Sequence, residues 1–467
     1  MLDRSAHDLS LLLASREISA VEVMQATLNR IAAVNPAVNA IISLRDPEDL
    51  LAEAAAADAS PAKGWMHGLP HAVKDLVNTA GIRTTQGSPL FAAFIPDTDD
   101  LIVRRMKAAG AIIIGKTNTP EFGLGSHSFN PVHGVTRNPY ALSRSAGGSS
   151  GGAAAALATR MVPVADGSDF MGSLRNPAAF CNVYGFRPTW DLIPADPVGD
   201  SYLHVMATNG PMARSPRDIA HLLEVLAGPD PRVPHGRLTE PYASGLDTDL
   251  RGKRIGWLAD WGGAYPVEPG ILELCAAGCR VFEQLGCTVE AVSPPFPAEQ
   301  LWDAWIILRG WAHAAAKAEL YNDPAKRAHL KPEVIWEVEQ GRHLTAQQVH
   351  NASVVRSRYY ATLAGLFDRY DALVLPSAQV WPFPVEWRHP TEIKGKTMDT
   401  YHRWMEVVIP VSMAGVPSLN IPVGFGTHGL PMGMQIFGRA GADRAILQLG
   451  HAYHLATDWP GKRQPAL

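Results

Sequence analysis

Three short stretches bring together residue types that could do chemistry. The first is Lys74, between Val73 and Asp75 in a run that reads as a short strand. A lysine on a buried strand is costly unless it is paired, or unless it is neutral and functional. The second is Gly148-Ser149-Ser150-Gly151-Gly152, and the third is Asp169-Phe-Met-Gly172-Ser173-Leu-Arg175-Asn-Pro177. Serines beside glycines are usually turn residues, so each stretch alone is a weak signal.

Two other motifs are look-alikes. Gly110-Ala-Ile-Ile-Ile-Gly115-Lys116-Thr117 matches the Walker A pattern. A phosphate loop wraps its backbone N–H groups around an anion and needs conformational freedom between its glycines. Alanine and three isoleucines are stiff and β-prone, so this reads as a strand. Gly147-Gly148-Ser149-Ser150-Gly151 matches the G-x-S-x-G elbow of α/β-hydrolases, and it runs into a helix as an elbow should. However, Ser143-Arg-Ser-Ala146 before it is not an apolar strand. With seventeen histidines, counting does not decide whether a triad partner exists.

Taken together, the stretches resemble the amidase signature family. Its Gly-Gly-Ser-Ser-Gly-Gly loop is matched by Gly147–Gly152, its Asp-x-Gly-Gly-Ser-x-Arg-x-Pro segment by Asp169–Pro177, and its closing block by Cys181-Asn-Val-Tyr-Gly-Phe-Arg-Pro-Thr189. Lys74 lies 75 residues before Ser149, and Ser173 lies 24 after it, which also fits. Further blocks are Gly68–Asp75, Gly115–Phe122, Gly415–Val423, Gly429–Gly433 and Gly438-Arg439, so the resemblance spans nearly the whole chain.

The resemblance implies a Ser–cis-Ser–Lys triad: Ser173 the nucleophile, Ser149 the bridge and Lys74 the base. A free lysine, with a pKa of ~10.4, is protonated at neutral pH, and burial can bring it into range. The backbone N–H groups of Phe170, Met171, Gly172 and Ser173 would form the oxyanion hole, with Asp169 and Arg175 supporting the loop. Thr117, Asn118 and Ser126 are further candidates to border the pocket. This chain has Met171-Gly172 where the family has Gly-Gly. A positive φ at residue 171 would strain a methionine. Otherwise its side chain, with that of Phe170, narrows the acyl pocket.

The elements that must hold these residues can be read coarsely. Ser19 and Glu22 form a capping box ahead of the stripe Val21, Met24, Leu28 and Ile31, and Asn35-Pro36 should end that helix. Asp46-Pro47 starts another. From Gly68 onward, strands alternate with helices: a helix over 100–109, a strand over 111–114 and an alanine-rich helix over 153–160. Beyond Gly228-Pro229-Asp230-Pro231, which reads as a linker, the pattern predicts strands at 254–258 and 372–375 and a helix over 271–285. Residues 297–370 look helical, and 407–423 return to short strands and turns. The alternation argues for an α/β sheet covered on both faces. The resemblance implies an α/β/α sandwich with a large central mixed sheet. Residues 1–65 would be a helical segment on the core, 66–228 the core with the triad, and 229–467 the rest of the same domain, with the substrate pocket near 297–370.

Composition bounds the function. The chain has 467 residues, 46 % hydrophobic and 18 % charged, with a net charge of −4. That is globular, and it lacks the basic footprint of a nucleic-acid or membrane-surface protein. The N-terminus makes a poor signal peptide, so the expected compartment is the cytoplasm. Four cysteines make no disulfide framework; Cys275, Cys279 and Cys287 read as buried thiols along one helix. Seven of twelve tryptophans fall between residues 302 and 404, where they either line an aromatic pocket or serve as core.

The resemblance therefore implies a serine amidohydrolase that needs no metal or cofactor. It would cleave carbon–nitrogen bonds of small amides, with esters and carbamates (a urethanase activity) within reach, and a homodimer is open to it. The alternative within the family is the A subunit of a glutamyl-tRNA(Gln) amidotransferase, which passes ammonia to a partner and needs a polar site for glutamine. Phe170, Met171 and the tryptophan-rich region suit an apolar substrate better.

Overall fold

The structure, a computed structural model, describes residues 1–203 and 206–467. Its frame is an eight-stranded sheet. The strand order is Thr288–Ala291, Arg254–Trp257, Ala372–Pro376, Pro431–Phe437, Ser418–Phe425, Tyr184–Arg187, Thr208–Ala213, Val164–Asp169. The first three strands run parallel and the remaining pairings are antiparallel, so the sheet is mixed. Strands from both sides of the Gly228 linker pair within it, Tyr184–Arg187 against Ser418–Phe425.

Successive strand residues point to opposite faces. A Cβ on Gly433 would meet Ala179, on the helix Arg175–Phe180, while Met434 meets Gly278, on the helix Ile271–Gln284. Helices therefore cover both faces, and the expected sandwich is present.

A smaller sheet carries Lys74. Its central strand Ile112–Thr117 pairs antiparallel with Ile41–Ile42 and parallel with Pro70–Lys74. The central strand runs three residues beyond its expected end, so the Walker-like segment is a fully buried strand entered through Gly110 (φ +94°). The Lys116 amine is held by Val77 O and Thr79 Oγ1.

Two expected boundaries are corrected. The capping box of Ser19 and Glu22 is present, but the helix Ala20–Val38 passes through Pro36. Proline in a last turn forfeits a single N–H bond. The Asn35 side chain accepts from Ala40 and Ile41 N–H, and Asn39, in a left-handed conformation, ends the helix. Residues 407–423 hold a helix, Ile409–Ala414, before the strand. Its six residues are too few to reveal a period. Pro410 in the first turn and left-handed Gly415 after the last mark its ends. The helical region appears as Ala298–Asn322, Pro324–Arg327, Pro332–Gly341 and Ala346–Leu366. Cys275 and Cys279 lie on one helix, whereas Cys287 lies beyond its end; all are buried and free. Among the described residues, no helix is long and apolar enough to cross a membrane.

The alanine-rich helix Gly151–Ala158 is buried on every side. It enters so tightly that a Cβ on Gly152 would lie 2.3 Å from Asn118 N and 2.7 Å from Ala40 O, both backbone. Gly152→Ala should therefore destabilise the protein by roughly 1–3 kcal/mol, measured by chemical denaturation. Gly365→Ala is the counterpart. That glycine is helical with nothing within 4 Å, so the change should stabilise by roughly 0.5–1 kcal/mol.

Candidate active site

Lys74 ends its strand fully buried. Its Nζ lies 2.8 Å from Ser149 Oγ, 2.8 Å from Ser150 Oγ and 3.0 Å from Ser168 Oγ. Among the described residues no carboxylate lies within ion-pairing distance of this amine. Asp166, the nearest acid in sequence to Ser168 on its N-terminal side, turns instead to the Lys74 backbone N–H and to His71 Nε2. Burial pushes the Lys74 amine down to about 7, against the opposing pull of Asp166 and Asp169.

Ser149 stands on a loop fixed from several sides. The Gly148–Ser149 peptide is cis. Ser126 Oγ donates to Gly148 O, Gly147 N–H donates to Ser145 Oγ, and Gly151 N–H donates to Ser128 Oγ. Ser173 follows the strand Val164–Asp169. The turn between them needs Gly172, whose φ is +81° and whose Cβ would press on Val408 at 2.9 Å. Ser150 N–H reaches Ser173 O at 3.4 Å, bringing the two serine segments together.

Asp169 and Arg175 form the knot beneath the turn. The Asp169 carboxylate accepts from Gly172 N–H (2.8 Å), Leu174 N–H (3.2 Å), Arg175 Nε (3.0 Å) and Nη2 (2.9 Å), and Arg187 Nη1 (3.1 Å). Burial alone would raise its pKa, but Arg175 and Arg187 outweigh that and hold the carboxyl well below the usual range. Arg175 continues to Val408 O, Gln435 Oε1 and Ser412 Oγ, tying the turn to the central sheet. Of the four N–H groups expected to form an oxyanion hole, that of Gly172 is thus committed to Asp169. Those of Phe170, Met171 and Ser173 have no acceptor among the described residues.

Ser149, Ser168 and Ser173 open on one cavity of about 570 Å³. Leu76, Phe122, Phe170, Met171 and Met405 form its apolar wall, and the helix Ala298–Asn322 adds Arg309 and His313. Met171 is absent from the positive-φ residues and is buried at the cavity, so its side chain occupies space there without backbone strain. Thr117, Asn118 and Ser126 do not line this cavity. None of the seven clustered tryptophans lines it either. Trp305 backs the Phe170 ring at 5.3 Å, and Trp387 is half exposed. His127 bonds Ser145 Oγ and Val385 O, and among the described residues no histidine hydrogen-bonds Ser149, as the hydrolase-elbow reading requires. A larger groove of about 960 Å³ lies elsewhere, beside Lys253, Asp371 and Arg444, and holds none of the three serines.

Sequence reasoning missed Ser168, Asp166, Arg187 and Arg309. Ser168 lies one strand position before Asp169 and could have been flagged by that. Asp166 and Arg309 act across 28 or more residues and left no local signal; Arg187 stands in the closing block Cys181–Thr189, but its bond to Asp169 spans 18 residues.

Asp169→Asn would leave Arg175 and Arg187 uncompensated in the core. It should cost roughly 3–5 kcal/mol of stability in denaturant titration. In the wild type, the carboxyl is more acidic folded than unfolded. Its contribution is complete above the unfolded value of ~3.9 and is lost progressively as pH falls below that. An acid-unfolding series should show this loss in the wild type and not in Asp169→Asn.

The amidase family description matches residues 22–447. The chain is 32 % identical to an acylamidase of Rhodococcus erythropolis, across 98 % of this chain and 96 % of that protein. It is 33 % identical to the A subunit of the glutamyl-tRNA(Gln) amidotransferase of Chloroflexus aggregans, across 97 % and 96 %. Its fold superposes on a bacterial aryl acylamidase of the amidase signature enzymes with a TM-score of 0.91, at 30 % identity and covering 98 % and 99 % of the two chains. In sequence and in fold, this chain belongs to the amidase signature family, hydrolases of carbon–nitrogen bonds.

Proposed function

We propose that this chain is a self-sufficient serine amidohydrolase for small apolar amides, with Ser173 as nucleophile, Ser149 as bridge and Lys74 as base. The observation that carries the reading is the buried Lys74 amine, pushed down to about 7 and surrounded by three serine hydroxyls, with no carboxylate among the described residues in ion-pairing reach.

A neutral amine has two N–H donors and one lone pair. Ser150 and Ser168 accept the two donors, which leaves the lone pair for the Ser149 hydroxyl. Ser149 passes its proton to Lys74 and takes one from Ser173, whose oxygen attacks the substrate carbonyl. The N–H groups of Phe170, Met171 and Ser173 stabilise the oxyanion, which exists only along the reaction path. The relay then returns the proton to the leaving nitrogen. Water repeats the sequence on the acyl-serine, releasing the acid and restoring Ser173. An ester or carbamate fits the same steps.

The relatives include amidotransferase A subunits, which makes a glutamine-dependent component of a larger complex the second reading. The apolar wall of Phe122, Phe170, Met171 and Met405 supports the first. The net charge of −4, with no basic run, supports an enzyme that acts without nucleic acid or a membrane surface, and the N-terminus, a poor signal peptide, supports the cytoplasm. The purified chain alone should turn over aryl anilides, aryl esters and aryl carbamates. Turnover of glutamine only, and only with partner proteins, would decide for the second reading. A fluorophosphonate should add once, on Ser173, by intact mass and peptide mapping; an adduct on Ser149 would overturn the assignment.

Activity requires neutral Lys74, so kcat/KM should fall on the acid side with a midpoint near pH 7. His71→Gln and His127→Gln should leave that limb in place; burial pushes His127 down to about 4. Lys74→Ala should cost about 10²–10⁴-fold in rate, the usual size of general-base catalysis. An acid limb abolished by either histidine change in a folded protein would assign the base elsewhere.

A further inference from the structure

Arg309 is the one arginine or lysine among the described residues that line the cavity. It stands beside Gly310, where the helix Ala298–Asn322 meets the helix Pro332–Gly341 backbone to backbone. A Cβ on Gly341 would fall 1.9 Å from Gly310 O. That closeness brings Arg309 against Glu337, one turn before Gly341. Arg309 Nε donates to Glu337 Oε1 at 2.5 Å, Nη2 donates to the Tyr401 hydroxyl at 2.8 Å, and Tyr401 donates to Glu337 Oε1 at 2.5 Å. Both charged groups are buried. The guanidinium lies over the rings of Phe170, 5.2 Å away, and Trp305, 5.9 Å away.

Two features of this arrangement bear on substrates. Nη1 has no hydrogen-bond partner among the described residues and Nη2 has made only one bond, so the guanidinium keeps N–H donors for an occupant of the cavity it lines. The arginine's charge is already balanced by Glu337. A substrate carboxylate brought to this wall would lose its hydration for a cation that is already paired. A carbonyl oxygen asks only for an N–H and gains a charge-assisted bond. Phe170, whose ring the guanidinium covers, lies three residues before Ser173, and its side chain is expected from the sequence to narrow the acyl pocket.

We propose that Arg309, neutralised by Glu337, donates a hydrogen bond to a second, uncharged acceptor on the acyl side of the substrate: an ester, amide or carbamate carbonyl some way from the scissile bond. The preferred substrates are then acyl chains bearing two carbonyl functions, only one of which is cleaved. This rests on Ser173 being the nucleophile.

The test uses 4-nitroanilides of succinic, glutaric, adipic and suberic acids in two forms, the monomethyl ester and the free carboxylate, beside plain alkanoyl anilides of matching length. Ratios of kcat/KM are taken within each protein, so a general loss of activity cancels. The wild type should favour the monoester over the alkanoyl anilide by about tenfold to a hundredfold at one chain length, the size of a hydrogen bond to a charged donor. It should reject the carboxylate at that length. Arg309→Met with Glu337→Met removes the donor and buries no charge, and should bring the monoester ratio to about one. Glu337→Gln alone leaves the arginine unbalanced and should shift preference toward the carboxylate; if it does not fold, the double variant decides alone. A wild type without a length-dependent monoester preference, or a double variant that keeps it, overturns the proposal. Failure of the fluorophosphonate adduct at Ser173 would instead overturn the reading beneath it.

Discussion

The constraint on which the site depends is the burial of one amine without a countercharge. Lys74 sits at the end of a strand, fully buried, and its neighbours are hydroxyls. A carboxylate in their place would hold the proton on the nitrogen and bar the amine from the basic role proposed for it. The fold keeps Asp166 close enough to fix the backbone of Lys74 but directs its oxygens to N–H groups other than the amine. Between the amine and its surroundings stand the serines on the cavity side, while two sheets meet here and the buried alanine helix packs against both.

A second knot carries opposite logic. Asp169 is ionised because two arginines demand it, and its oxygens set the turn that presents Ser173. Arg175 reaches on to Gln435 and Ser412, so the geometry of the turn is referred to the middle of the large sheet rather than to its own loop. One acid is excluded from its amine and the other is locked to its guanidinium groups. The two stand three residues apart on a single strand, Val164–Asp169.

Much of this is legible in the sequence because the informative residues are local. Lys74, the Gly147–Gly152 loop and the Asp169–Pro177 segment announce themselves by type and spacing, and the strand–helix alternation points to the architecture. What escapes is non-local or lies at the edge of a rule. Pro36 reads as a stop because the compensation by Asn35 and Asn39 involves side-chain bonds and a left-handed turn. The N–H of Gly172 counts toward an anion site until the fold shows Asp169 reaching three positions along to take it. The tryptophans suggest pocket lining, yet the wall is built from Phe122, Phe170 and Met171, with Trp305 standing behind Phe170. Arg309 and Glu337 are 28 residues apart, and only the meeting of two helices makes them a pair.

The contact between Gly310 and Gly341 has a consequence for how such an enzyme can diversify. Because the two backbones touch there, a side chain at Gly341 would wedge the helices apart and withdraw Arg309 from Glu337. The crossing point is therefore frozen, while the neighbouring residues that face the cavity can be exchanged, Arg309 and Glu337 only as a pair. New substrate ranges would then arise by rewriting the helical hairpin around a fixed pivot, with the lysine strand and the serine loops inherited unchanged. In such a lineage Gly341 would be passed down as faithfully as the groups proposed to react, though it touches no substrate.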